Sequence, residues 1–416
     1  MKYDIGLEDA LSRTLERLTP LPPTDIEIDK ASGLVVAENC IATVDCPSAS
    51  VSMKDGYAVV SQDLENTSKD SPVKLKVTDS VFAGSQTDKS VVSGTAVKIM
   101  TGAKIPQGAD AVISSEFTKE KDDGILCYRD ANRGRNILKQ GHDVKKGDRI
   151  VCLGEILMPA KTGLMAAGGI SSVRVHPLPR IGIIAIGDEV VKPGKSLKEG
   201  QLYASNIVTL VSWLKHFRMK SKISIVPDQK ELLWDAIESM LEDVDVLITS
   251  GGAWKSERDL TVKTFQEIGG EIVFHHVRMG PGKAVAVILL RGKTVFCLPG
   301  GPPSNEMAFL QIALPALFHL AGKPPIPFKS KTATLTKTIR GDKNWTQFFH
   351  ARLVDNSGQL FIEPLKIKSR LQSQANANAI IKVSEDMELL EKGEQIQIQV
   401  LFNRIQQDML SESKST

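Results

Sequence analysis

The chain has 416 residues, more than one hydrophobic core normally organises, so several domains are expected. It is 42% hydrophobic and 24% charged, the balance of an ordinary soluble globular protein, and its 52 Lys plus Arg nearly match its 49 Asp plus Glu. The charges are interspersed along the chain, which argues against nucleic-acid binding, and no apolar run approaches the roughly 20 residues that span a bilayer.

Leu7, Leu11, Leu15 and Leu18 stand at helical spacing among charges, which predicts an amphipathic helix and not a signal peptide. The prolines of TPLPP, Thr19 to Pro23, stop it. From about Ser71 to Val151, short β-like runs alternate with Gly and Asp turns, the pattern of a small β-rich domain. Its flanks, Leu7 to Val60 and Leu153 to Val175, are expected to pair with each other and make the β region an insertion. The five cysteines, Cys40, Cys46, Cys127, Cys152 and Cys297, form no C-x-x-C pair and leave one over, which suits a reducing compartment, so the cytoplasm is the expected location.

Beyond Pro177 and Pro179, strand and helix patterns alternate. RIGIIAIG, KISIV, VDVLITS and EIVFHHVRM read as strands, and SNIVTLVSWLKHF, DQKELLWDAIESMLED and ERDLTVKTFQEIGG as helices. Asp228 and Glu231 are spaced as a capping box. AVAVILL and TVFCL around Arg291-Gly292-Lys293 predict a hairpin, and Pro315 should kink the long helix SNEMAFLQIALPALFHLAG. Such alternation implies a mostly parallel sheet covered on both faces, a three-layer α/β domain. After PPIPF the pattern returns to β. The expected domains are 1–60 with 152–177 (mixed, discontinuous), 61–151 (inserted, β-rich), 178–325 (α/β), 326–405 (C-terminal β) and a frayed polar tail, 406–416.

Four loops fall at predicted strand carboxyl ends: Gly187-Asp188-Glu189, Val226-Pro227-Asp228, Ser250-Gly251-Gly252 with Asp259, and Pro299-Gly300-Gly301-Pro302-Pro303-Ser304. In a parallel sheet all four gather on one edge, where such folds bind ligands. Glycine lets backbone N–H groups approach an anion, and Ser304 at a helix start would add the positive end of a helix dipole. Glu189, Asp228 and Asp259 could hold a hydrated Mg²⁺ beside substrate phosphates, although Asp228 is explained equally well as a helix cap. A phosphorylated or nucleotide-like ligand with a divalent ion is the resulting expectation. Pro193-Gly194-Lys195-Ser196 lacks the earlier Gly of a phosphate loop. His275 and His276, adjacent on a strand, should face opposite ways and read as structural. No zinc spacing or G-x-S-x-G elbow is found.

Two further stretches, SVSMKDGYAV with Asp55-Gly56 and KIMTGAKIPQGADAVI with Thr101-Gly102, would alone be read as turns. Taken in order, SMKDGYAV, IMTGAKIPQGADAV, GHDVKKGD, IGDEV, GQLYASN, VPD, TSGG followed by Asp259, MGPGKA and CLPGGPPSN resemble the molybdopterin molybdenumtransferase family, the MoeA proteins, which are similar to the E domain of gephyrin. The resemblance covers nearly the whole chain. It implies a four-domain subunit in a homodimer, with an active site between the α/β domain of one subunit and the second domain of the other.

The implied reaction takes adenylylated molybdopterin and molybdate, cleaves the adenylate with Mg²⁺ and leaves molybdenum on the dithiolene sulfurs; a molybdopterin adenylyltransferase is the implied delivering partner. Carried over residue by residue, the resemblance implies Mg²⁺ coordination by Glu189 and Asp259. It implies orientation of water or adenylate by Asp55 and Asp228, oxyanion binding by Lys283 and Ser373, and substrate contacts from Thr101, Gly102, Ser250, Gly251, Gly252, Pro299, Gly300 and Ser304. The chain departs from the family at Gly280, where a Lys is frequent, at Ala204, frequently acidic, and at Leu138 and Trp345, where arginines are common. Trp254, Lys255, Gly301 and Pro303 alter two loops. Lost cations weaken the attraction for molybdate, and Lys255 or Arg278 stand as compensating charges. A tungstate-preferring enzyme, or a molybdopterin carrier that inserts no metal, are the alternatives.

Overall fold

The computed structural model describes residues 3–85, 87–251, 260–365, 369–402 and 406–407. The chain divides into two compact units, Pro23–Val175 and Met1–Pro22 with His176–Thr416.

In the unit Pro23–Val175, the two flanks of the β region pair. Ser172–His176 runs antiparallel to Thr24–Glu27, and Arg149–Val151 antiparallel to Cys40–Ile41. Between them a six-stranded sheet is ordered Thr118–Lys121, Gly124–Cys127, Val73–Val81, Thr95–Ile99, Gly56–Val59, Ala111–Ser114. Gly56–Val59, assigned above to the mixed domain, lies inside this sheet. Its four residues are all buried between two neighbours, and a strand with both edges paired cannot stay with the preceding segment. Gly56 has no room for a side chain, because a Cβ there would lie 2.0 Å from the Ile113 carbonyl oxygen.

The other unit is built on a seven-stranded sheet ordered Tyr3–Ile5, Glu271–Val277, Ala286–Leu290, Lys293–Leu298, Val246–Ser250, Ile181–Ile186, Ser221–Val226. The last four are mutually parallel. Helix Ser205–His216 and the helical run Pro302–Leu320 cover one face with Leu210, Leu214, Phe309 and Leu317; Lys230–Leu241 and Leu260–Glu267 cover the other with Leu233, Ile237 and Phe265. This is the three-layer α/β arrangement expected. The amino terminus, expected with residues 1–60, instead adds Tyr3–Ile5 to this sheet's edge, and helix Leu7–Leu15 buries Leu7 and Ala10 in the same core. Three residues are too few for a strand period to show in sequence.

Arg291 and Gly292, both at positive φ, close the predicted hairpin as a two-residue turn whose twist suits the strands. Pro315 does not break its helix. A π-turn at Phe309–Ala313 precedes it and absorbs the backbone bond that proline cannot make. The expected opposite orientation of His275 and His276 fails: His276 has φ 71° and the strand is bulged near Ile272 and Phe274, so the two rings stack 4.0 Å apart. Both are buried.

Beyond Phe328, the strands Lys329–Leu335, Thr346–Asn356, Gln359–Pro364, Ala379–Val383 and Gln395–Val400 close into a barrel, since Thr346–Asn356 pairs with both Gln359–Pro364 and Ala379–Val383. Closure leaves no free edge around Leu353, Ile362, Ile381 and Ile398. Within the tail expected to fray, Gln406–Gln407 pairs with Val354 and Asp355, and residues 408–416 lie outside the described residues.

The barrel is fastened to the α/β layer by a buried polar group. Glu306, 5% exposed, accepts the Trp213 indole N–H at 2.8 Å, and His350 Nε2 of the barrel lies 2.9 Å from its other oxygen. Glu306→Ala would strand both partners without their acceptor, and a loss of about 3–5 kcal/mol is expected, read as a lower urea midpoint in Trp213 fluorescence.

Candidate functional site

Because Ile181–Ile186 is parallel to strands on both sides, the loops after Ile186, Val226, Ser250 and Leu298 leave the same sheet edge. From Ile181–Ile186 the chain moves outward to Ser221–Val226, then returns across it to Val246–Ser250. That reversal leaves a crevice between Ile181–Ile186 and Val246–Ser250. A cavity of about 670 Å³ opens there, walled by Ile186, Glu189, Asn206, Gly251, Gly300 and Arg370 among others.

Its floor is backbone held by amides. Gly251 has φ 104° and donates its N–H to the Leu298 carbonyl at 3.1 Å; a Cβ on it would sit 2.5 Å from the Ile186 carbonyl oxygen. Gly300 comes close from the other side, its Cβ position 3.7 Å from the Gly251 Cα. The Ser250 hydroxyl oxygen accepts from Asn305 Nδ2 at 3.0 Å and from Asn206 Nδ2 at 3.3 Å. The same two amides hold the carbonyls of Pro299 at 2.9 Å and Gly300 at 2.7 Å. Sequence reading passed over both asparagines. Their common signal is a Ser-Asn pair in the first turn or so of a helix, at Ser205-Asn206 and Ser304-Asn305.

The charged candidates are distributed unevenly. Glu189 lines the cavity, with Oε2 2.6 Å from where a Gly187 Cβ would be. Asp228 is not a helix cap: Lys230–Leu241 begins after Gln229 with no side-chain cap, and the Asp228 N–H donates to Asp188 at 3.1 Å, tying two loops together. Ser304 does not open its helix either. Proline at the first position and Gly301 at the cap take that role, and Pro302 reaches the cavity wall. Ala204 precedes the helix Ser205–His216 and is part of the wall.

Ser373 donates its hydroxyl to the Ser369 carbonyl at 3.3 Å, whereas Ser369, which caps helix Arg370–Ala375, and Arg370 line the cavity. Arg370 makes no ion pair among the described residues. The Lys283 ammonium lies 4.7 Å from the centroid of the Trp345 ring, and Arg278 pairs with Glu385 at 3.0 Å. Gly252, Trp254, Lys255 and Asp259 lie outside the described residues.

In the unit Pro23–Val175, Asp55 Oδ1 accepts the Thr101 N–H at 2.7 Å and the Thr101 hydroxyl at 2.8 Å. These bonds, the backbone one foremost, hold the Asp55 carboxyl below its ordinary range. Gly102, at φ 81°, donates to the Ser52 carbonyl at 2.8 Å, and Leu138 pairs with Val51 on the same loop. A small recess of about 290 Å³ beside Asp55 includes Lys98 and Glu120, paired at 2.9 Å.

Among the described residues no three His, Cys, Asp or Glu side chains gather as a metal cluster. Among the described residues Glu189 is the one carboxylate lining the cavity, which suits Mg²⁺ held largely by water and substrate phosphate.

Comparison with known proteins covers the chain almost end to end. Residues 5–169 match the MoeA N-terminal region (domain I and II), 182–319 a probable molybdopterin binding domain, and 332–401 the MoeA C-terminal region (domain IV). A putative molybdopterin biosynthesis protein of Methanocaldococcus jannaschii is 30% identical over 388 residues, 91% of this chain and 92% of that protein. The chain belongs to the MoeA family. The molybdopterin molybdenumtransferase of Haemophilus influenzae is also 30% identical, over 96% of this chain and 99% of its own. A crystal structure of a molybdopterin biosynthesis MoeA protein from Pyrococcus horikoshii aligns over 96% of this chain and all of that one, at TM-score 0.81 and 31% identity. On the MoeA division, the cavity floor belongs to the probable molybdopterin binding domain, and Ser369 and Arg370 come from the C-terminal region.

Two outcomes are expected from this geometry. A carboxyl with a lowered folded pKa stabilises above its unfolded value and loses that contribution as pH falls through the folded one. Asp55 should therefore titrate below the ordinary aspartate range by carbon NMR, and move up toward it in Thr101→Val, which lacks the hydroxyl donor. Asn305→Ala removes donors from Ser250 and Pro299 in a buried site and should cost about 1–3 kcal/mol, measured by chemical unfolding.

Proposed function

We propose that this MoeA-family chain is a molybdopterin molybdenumtransferase of molybdenum cofactor biosynthesis, acting on adenylylated molybdopterin and molybdate with release of AMP. The observation that carries the reading is the cavity at the sheet's reversal point, where the start of helix Ser205–His216 and the Gly251 and Gly300 backbone meet Arg370. A helix N-terminus and a guanidinium around a crevice suit phosphate and tetrahedral oxyanions, which offer only acceptors.

In this reading water attacks phosphorus, the bond from phosphorus to the bridging oxygen breaks, and AMP and the molybdopterin phosphate separate. Arg370 and the N-terminus of helix Ser205–His216 bind the developing charge. Glu189 and Asp259 would hold Mg²⁺, which would supply charge neutralisation at the phosphates. Asp55 and Asp228 orient water or the adenylate, Thr101, Gly102, Ser250, Gly252, Pro299 and Ser304 contact substrate, and Lys283 and Ser373 belong to oxyanion binding. The homodimer and the delivering adenylyltransferase are part of the same proposal.

The test is single-turnover AMP release by the purified chain with Mg²⁺ and either molybdate or tungstate. Release that depends on one oxyanion is expected and identifies the metal; tight binding without release would instead make the chain a carrier. Arg370→Ala should lower kcat/KM about 10- to 100-fold, the loss of one or two charge-assisted hydrogen bonds. Unchanged turnover would remove Arg370 from the site.

A further inference from the structure

The stretch Pro193-Gly194-Lys195 belongs to a loop that frames the cavity. Val190–Val191 pairs with Leu202–Tyr203, and Glu189, Val190, Leu202 and Tyr203 all line the wall, so residues 192–201 leave the wall and return to it. Two similar turns build this loop. In Lys192-Pro193-Gly194-Lys195, Gly194 has φ 89° and the Lys195 N–H donates to the Lys192 carbonyl at 3.2 Å. In Lys198-Glu199-Gly200-Gln201, Gly200 has φ 84° and the Gln201 N–H donates to the Lys198 carbonyl at 3.1 Å. Proline followed by glycine at positive φ is the pattern of a type II turn, which holds its first and fourth Cα atoms within about 7 Å.

The turns gather like charges. Lys192, Lys195 and Lys198 are all exposed, and none makes an ion pair among the described residues. Glu199 is the one acid of the loop. The Tyr203 hydroxyl donates to the Lys195 carbonyl at 3.0 Å, which moors Lys195 one tyrosine side chain from the wall. Cations held together without a carboxylate repel each other, and an anion from outside the chain relieves that repulsion. At about 0.1 M salt a charge is felt over about 10 Å, so these lysines act on whatever approaches the cavity mouth. The loop thus places cations at the rim of a chain that lacks the family's frequent ones at Gly280, Leu138 and Trp345.

We propose that Lys192, Lys195 and Lys198 form a capture patch that draws a diphosphate-bearing anion to the cavity. The inference rests on the reading of that cavity as an anion site and adds how the anion arrives. Two linked phosphates are long enough to meet both turns together, whereas a lone tetrahedral oxyanion meets one. Charges at a rim alter the rate of arrival and its salt dependence more than the reaction that follows.

The test is calorimetric titration of the full chain with inorganic pyrophosphate, at about 0.01 M salt, where the Debye length is about 30 Å, and at about 1 M, where it is about 3 Å. Changing the three lysines to glutamine leaves both turns in place, because their bonds come from the backbone, Gln201 and Tyr203. At low salt the glutamine variant should bind pyrophosphate at least about tenfold more weakly, and the difference should vanish at high salt. Arginine at all three positions should restore binding, and inorganic phosphate, with fewer charges, should lose less. In AMP release the glutamine variant should lower kcat/KM at low salt and leave kcat unchanged. Parent-like pyrophosphate binding in that variant, a loss that persists at high salt, an equal loss for phosphate, or no pyrophosphate binding at millimolar concentration would overturn the proposal. The proposed function fails separately: a chain that binds pyrophosphate in this way but releases no AMP keeps the capture patch, and one whose glutamine variant releases AMP with the parent's kcat/KM keeps the function and loses the patch.

Discussion

The close approach of Gly251 to the Ile186 carbonyl is the constraint from which the site follows. With φ 104° and 2.5 Å between that oxygen and any Cβ, the position accepts glycine alone. The tight crossing lets Gly251 donate to Leu298 and brings the Gly300 loop against it. Ser250 is thereby set between two helix starts, and Asn206 and Asn305 can meet on its hydroxyl. One backbone conformation thus determines which polar groups line the crevice.

The proposed anion site carries little formal positive charge among the described residues. Where the family frequently carries lysine or arginine, the chain has Gly280 and Trp345, and Trp345 now lies beneath the Lys283 ammonium. An ammonium over a ring remains charged, but its field is partly engaged there. Among the described residues, Arg370 is the cation that lines the cavity wall, and it arrives from the barrel and not from the α/β sheet. A guanidinium adds direction through its planar fork of donors. Such a fork favours an anion presenting two acceptors at once over a small point charge.

Much of this was legible in sequence, and the failures have physical reasons. Strand and helix alternation, the hairpin at Arg291-Gly292 and the gathering of four loops on one edge follow from periodicity, because burial on both faces leaves long apolar runs. Tyr3–Ile5 was invisible, since a three-residue edge strand has no period. The capping role given to Asp228 failed because a cap depends on where the backbone leaves extended geometry, and that point is Gln229. Asn206, Asn305 and Arg370 were missed because each meets the cavity from a different element, and only the fold brings them to one place. The stacking of His275 on His276 needed a positive φ that strand alternation does not anticipate.

The barrel is consequently more than an appendage of the α/β layer. Its strand Thr346–Asn356 carries His350 to the buried Glu306, and its helix Arg370–Ala375 carries Arg370 to the crevice. Glu306 and Asn305 are consecutive on one short helix, so the group that fastens the barrel adjoins the group that shapes the cavity floor. A buried carboxylate with two donors is intolerant of displacement, because losing either leaves charge desolvated. A shift of the barrel large enough to withdraw Arg370 would strain that bond first, so the same buried charge that secures the fold holds the cationic wall of the site in register.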